Sequence, residues 1–191
     1  MVGKHLISVA VTGLLLSTTM GAAPAAAQEP ISLATDSTFI QVAGSVGLLQ
    51  VKLGKLAEKK GASAAVVAFG KQMVADYSKA NEELAAGAKQ AAFPAPVLLR
   101  QHQQIFDRFN GMGRSDFDKA YTAEMVKRHR EEVQLFRQES EGGRVQSLKL
   151  LASGMLPELQ QRMTLATQTA ASVGADVTAS SSEARQGGTG N

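Results

Sequence analysis

Residues 37–60 read STFIQVAGSVGLLQVKLGKLAEKK. Phe39, Val42, Ala43, Val46, Leu49, Leu53, Leu56 and Ala57 recur three and four apart, which is the spacing of one helix face. Asp36, Ser37 and Thr38 offer N-cap oxygens ahead of the stretch. Lys59, Lys60 and Gly61 close it with the charges and the glycine that suit a helix C-terminus. The stretch therefore predicts an amphipathic helix over 37–60. One polar residue, Gln50, interrupts its apolar stripe near the midpoint.

The same pattern returns three times downstream. Ser63 caps a helix predicted over 64–91, with Val66, Phe69, Met73, Tyr77, Ala80, Leu84 and Ala88 on its inner face. Phe93-Pro94-Ala95-Pro96 ends it, because proline lacks a donor and restricts the residue before it. Ser115 or Asp116 opens a helix over 116–141, whose stripe is Phe117, Ala120, Tyr121, Met125, His129, Val133 and Phe136. After Gly142-Gly143, a helix over 145–173 aligns Leu148, Leu151, Ala152, Met155, Leu159, Met163 and Ala166, with Pro157 expected to kink it near Ser153. A shorter piece, 97–110, reads as a linking helix between the second and third long helices. Four such faces can bury one another only by packing together, so the fold class is an all-α four-helix bundle. Whether the 92–115 connection crosses the bundle or caps one end is left open by the pattern.

The flanks differ from this domain. Lys4 and His5 precede an apolar run, Leu6 to Met20, and Ala25-Ala26-Ala27 follows. This is the three-part layout of a secretory signal peptide over 1–27, with cleavage before Gln28. Residues 28–36 are then a linker, 37–173 the bundle, and 174–191, built of Ser, Gly, Thr and Ala, a disordered tail. The expected location is the periplasm or cell envelope, with no transmembrane span in the mature chain. The chain of 191 residues contains no Cys, which removes disulfides, thiolate metal sites and thiol nucleophiles. A net charge of +3 does not point to nucleic acid.

Chemistry in a bundle is built from inward polar groups on several helices at one level. The polar residues that interrupt the four stripes are Gln50, Tyr77, His129 and Arg162, each near the middle of its helix. In register they form one mid-bundle polar cluster. No catalytic residue stands out. Asp76, Glu82, Glu83, Glu124, Glu131 and Glu132 read as solvated helix faces, with Lys127–Glu131 and Arg128–Glu132 as i,i+4 pairs. His129 and Glu132, three apart, are the candidate ligands for a divalent metal. No Glu-x-x-His occurs, however, and a guanidinium opposes a cation, so no cofactor is expected. Leu98, Leu99, Ile105 and Phe106 would offer a docking face to a protein or lipid if they were exposed.

Gly47–Ala57, Phe69–Asn81, Phe117–Tyr121 with Met125, His129 and Val133–Phe136, and Leu156-Pro157 with Leu159 together resemble a known family over roughly 38–170. It is domain of unknown function 4142, exported bacterial proteins often labelled outer-membrane proteins. The resemblance implies a ferritin-like bundle. It also implies a potential metal cluster: family members typically carry Glu at the position of Gln50, His at that of Tyr77, His near Arg162, and the His at His129. Three of the four differ here. The expected function is that of an exported envelope protein of non-enzymatic kind, stress-related or an interaction module, with a protein partner or a second copy as possible company. The alternative is a metal-binding bundle built around His129. Nothing in the residues supports a barrel, since alternating strands are lacking.

Overall fold

The computed structural model describes residues 29–177. The segment 1–27 read as a signal peptide, and the tail from 178 onward, lie outside the described residues. The helices are α1 (Glu29–Lys60), α2 (Ala64–Gln90), α3 (Arg100–Gly111), α4 (Arg114–Gly142) and α5 (Gln146–Ser172). Each long helix turns its stripe inward. The core runs from Phe39, Ile40 and Phe136 at one end to Phe69, Phe117 and Tyr121 at the other. Among the described residues no helix is long and apolar enough to cross a membrane.

Two antiparallel hairpins, α1–α2 and α4–α5, pack face to face. The start of α1 meets the end of α4, where the Phe39 and Phe136 rings contact edge to face at 5.1 Å. The end of α2 meets the start of α5, where Gly87 faces Leu148 and Leu151. The connection between hairpins runs the length of the bundle along α1. Gln41 donates to the Pro94 carbonyl, Ser45 is bonded to Leu99 and His102, Lys52 donates to Gln103, and Lys60 donates to the carbonyls of Asn110 and Met112. The order is up-down-down-up, and the open question of the connection resolves to a crossover. Gly44 permits it, because a Cβ there would overlap the Pro96 ring. Gly54 and Gly70 bring α1 and α2 together in the same way: a Cβ on either would lie 2.8 Å from the carbonyl oxygen of the other.

Several sequence expectations change. The 28–36 segment is not a linker, since α1 already begins at Glu29, with Pro30 in the first turn where its missing donor costs nothing. Asp36 therefore caps a different helix. Buried within α1, it accepts the backbone N–H groups of Arg144 (3.0 Å) and Val145 (3.2 Å), at the entry to α5. Asp118 of α4 does the reciprocal job, accepting from Ala62 and Ser63 at the α1–α2 turn. Gly113, not Ser115 or Asp116, is the N-cap of α4. Helix α5 passes through Pro157 as one element; the proline removes only the hydrogen bond that the Ser153 carbonyl would accept. The chain also stays ordered past 173. Gly174 adopts φ +63°, and Gly174 N–H and Ala175 N–H bond back to Ala171 and Ala170, a Schellman cap that folds Ala175 and Val177 onto the core. Leu98, Ile105 and Phe106 pack against the core, so the docking face expected of them loses its basis.

Candidate functional site

Helix α1 contributes Gln50, flanked by buried Val46 and Leu53. Helix α2 contributes Tyr77 between Met73 and Ala80, and α4 contributes His129 one turn past Met125. Helix α5 contributes Arg162, one turn past Leu159. All four are buried, and all four meet around the Tyr77 ring. The His129 ring lies 5.9 Å from it, edge to face, and the Arg162 guanidinium sits 5.1 Å above its centroid. The Gln50 amide lies beside the Tyr77 hydroxyl without completing a hydrogen bond.

The sequence reading misjudged a fifth member. Glu132 is not on a solvated face: it is 3% exposed, and its Oε2 accepts the Tyr77 hydroxyl. Arg128, its expected i,i+4 partner, bonds instead to Glu124 (2.7 Å) and Glu131 (3.0 Å). Glu124 is not a free solvated side chain either, since it also holds Arg108 at 2.7 Å. The signal for Glu132 was present in the spacing. Met125, His129, Glu132 and Phe136 follow one another at four, three and four, which is a core stripe.

Burial sets the protonation states. It pushes the Glu132 carboxyl up to about 7, against the Tyr77 hydrogen bond and the Arg162 charge, which both act to lower it. Burial raises Tyr77 well above its ordinary value, and the neighbouring Glu132 adds to that, so the phenol stays a neutral donor. Burial lowers His129 to about 4, opposed by its bond to the Met125 carbonyl. At neutral pH, His129 Nδ1–H thus donates to Met125 O at 2.7 Å, and Nε2 is a bare lone pair, buried without a partner. Arg162 is held from outside the layer by Glu158 (2.8 Å) and Asp76 (3.5 Å).

This donor set does not fit a resident divalent metal. It offers one imidazole nitrogen and one carboxylate already bonded to Tyr77, a phenol that burial keeps protonated, and a guanidinium in the same layer. Among the described residues no three His, Cys, Asp or Glu are placed to hold a metal ion. What the layer does is tie α2 to α4 through the Tyr77–Glu132 hydrogen bond and hold α5 to α2 through the Arg162 contact with the Tyr77 ring.

The family model described as Domain of unknown function (DUF4142) matches residues 20–169. The chain belongs to that family. No curated protein and no solved structure matches it. The DUF4142 match covers Gln50, Tyr77, His129, Glu132 and Arg162, so the layer lies inside the family domain rather than in an appended segment.

Proposed function

We propose that this DUF4142 chain is an exported, non-enzymatic protein of the cell envelope, a ferritin-like bundle that acts as an interaction or binding module, with stress tolerance as the setting. The observation that carries the non-enzymatic reading is the closure of the Tyr77 layer. Its acid faces a phenol, its cation is held by Asp76 and Glu158, and its histidine is neutral and enclosed. A catalytic constellation leaves an acid, a base or a nucleophile facing a substrate. Here the phenol is bonded to Glu132 Oε2, the cation is held by Asp76 and Glu158, and the unpartnered His129 Nε2 is buried. The ferritin-like reading draws support from the crossover along α1, and the export reading from the segment 1–27.

One observation favours a second reading. The bare Nε2 of His129 is the kind of atom a metal would take. A single sample tests both. The full chain is expressed with its leader, recovered from the periplasmic fraction, and submitted to N-terminal sequencing and elemental analysis. The expected outcome is a first residue at Gln28 and substoichiometric Fe, Cu, Zn and Mn. Retention in the cytoplasm with Met1 intact would overturn export. One equivalent of metal, lost in His129→Ala, would overturn the metal-free module and establish the second reading.

A further inference from the structure

Glu132 has a side that the Tyr77 layer leaves unused. Its Oε2 takes the Tyr77 hydroxyl, whereas Oε1 has no hydrogen-bond partner among the described residues. The residue is 3% exposed, yet it lines a cleft of about 310 Å³ between α1, α3 and α4. Val42, Val46 and Leu135 give that cleft an apolar wall.

The charges of the cleft do not balance. Its one cation, Arg128, is bonded to both Glu124 and Glu131, and Glu124 is matched again by Arg108. His102, which also lines it, is tied to Ser45 through Nδ1 at 2.6 Å, and burial lowers its pKa, so it is neutral. Arg162 lies across the Tyr77 ring and is held by Glu158 and Asp76. Glu132 is thus a carboxyl at a cleft wall with one oxygen free, and the cation on its side, Arg128, is already bonded to Glu124 and Glu131. A buried carboxylate in that position is costly to ionise, and a cation brought by a ligand removes the cost.

We propose that this cleft binds a small organic cation, a primary ammonium on a short apolar stem. The ammonium donates to Glu132 Oε1 and Glu131, and the stem lies against Val42, Val46 and Leu135. The volume suits a small molecule, at the lower end of the ~300–1,000 Å³ range of ligand sites. A hard divalent ion suits it less. Ca²⁺ takes about 6–8 oxygens gathered round one point, whereas the carboxylates of Glu131 and Glu132 and the amides of Gln101, Gln134 and Gln138 share this cleft with an apolar wall and the Arg128 cation. An ammonium has three donors, and its stem has use for the wall. The inference rests on the metal-free reading of the layer, and elemental analysis of the same sample tells the two failures apart.

The test is a titration of the mature protein with n-butylammonium, followed by amide and methyl chemical shifts. Neutral n-butanol and calcium chloride serve as comparison ligands. Butylammonium is expected to give saturable shifts centred on Val42, Val46 and Leu135, with n-butanol at least about tenfold weaker. Glu132→Gln keeps a hydrogen-bonding group for Tyr77 and should weaken butylammonium binding by about tenfold or more. Val46→Phe should block the cleft while leaving the Tyr77 layer in place, so it serves if Glu132→Gln does not fold. Lys79→Ala, on the opposite side of the bundle, should bind like the parent. The proposal is overturned if n-butanol binds as well as butylammonium, if Glu132→Gln and Val46→Phe both bind unchanged, if calcium gives the same saturable shifts, or if nothing saturates.

Discussion

The two helical hairpins clamp each other's turns with the same residue type and in very different surroundings. Asp118 of α4 reaches across to the α1–α2 turn and accepts from Ala62 and Ser63; Asp36 of α1 reaches across to the α4–α5 turn and accepts from Arg144 and Val145. Both supply a carboxylate to orphan N–H groups at a helix entry. Asp118 does so half in solvent, while Asp36 is fully buried. Asp36 also has a second acid against it, Glu139, whose carboxyl is pushed up to about 7 by burial and then by Asp36. The comparison teaches that one capping device becomes pH-sensitive when it is buried next to a second carboxyl.

The comparison can be broken most directly at Asp36. Asp36→Ala leaves two part-buried N–H groups without their carboxylate and should cost about 3 kcal/mol. The same change at Asp118, where water can replace the carboxylate, should cost about 1 kcal/mol. Urea unfolding of the two variants side by side checks the contrast, and equal losses would break it. The next effect is the pH dependence. Glu132, at 3% exposure, rises from an ordinary 4.5 to about 7 in the folded state. The folded protein therefore binds this proton more tightly than the unfolded chain, and stability falls as pH rises through about 7. His129 acts in the opposite sense, from 6.5 down to about 4, so its contribution is lost only as pH falls below 6.5. Between pH 6.5 and 8 the falling limb belongs to the acids. Most of the Glu132 loss falls between pH 4.5 and 7, where His129 opposes it, so Glu132→Gln should flatten the limb left between pH 6.5 and 8 by about 1 kcal/mol. Glu139→Gln should remove a smaller share of the same limb. Thermal melts across that range read both.

The smallest effect lies at the end of α2. Ala92 sits at φ +57° in the cap that returns Ala92 N–H to Lys89 and Phe93 N–H to Ala88, whereas Gly174 fills the equivalent place after α5. Ala92→Gly should raise stability by up to about 1 kcal/mol, since only the alanine carries the left-handed cost.

The four long helices were legible because burial writes itself into a three-four spacing, and the bounds expected for α2 at 64–91 fall within a residue of Ala64–Gln90. The meeting of Gln50, Tyr77, His129 and Arg162 was legible for the same reason: each interrupts a stripe at mid-helix. What the sequence concealed depends on partners far along the chain. Asp36 looks like a local N-cap because Ser37 and Thr38 follow it, while the groups it serves lie 108 and 109 residues away. Glu132 looks paired because Arg128 stands four residues before it, and only packing reveals that Arg128 turns to Glu124 and Glu131. The crossover depends on Gly44 accepting the Pro96 ring, a fit between two segments whose local patterns say nothing of each other.

The crossover also gives the molecule a front and a back. Because the second hairpin enters from the far end, α1 and α5 point the same way. In α1 Asp36 lies beside the α4–α5 turn, and α5 runs from that turn to the opposite end of the bundle, where the α1–α2 turn lies. The start of α1 near Asp36 and the end of α5 are thus held about 40 Å apart, the length of a 27-residue helix at ~1.5 Å per residue. The bundle is in that sense a rigid spacer, and pulling on its two ends would load the polar layer in shear rather than peel one helix at a time.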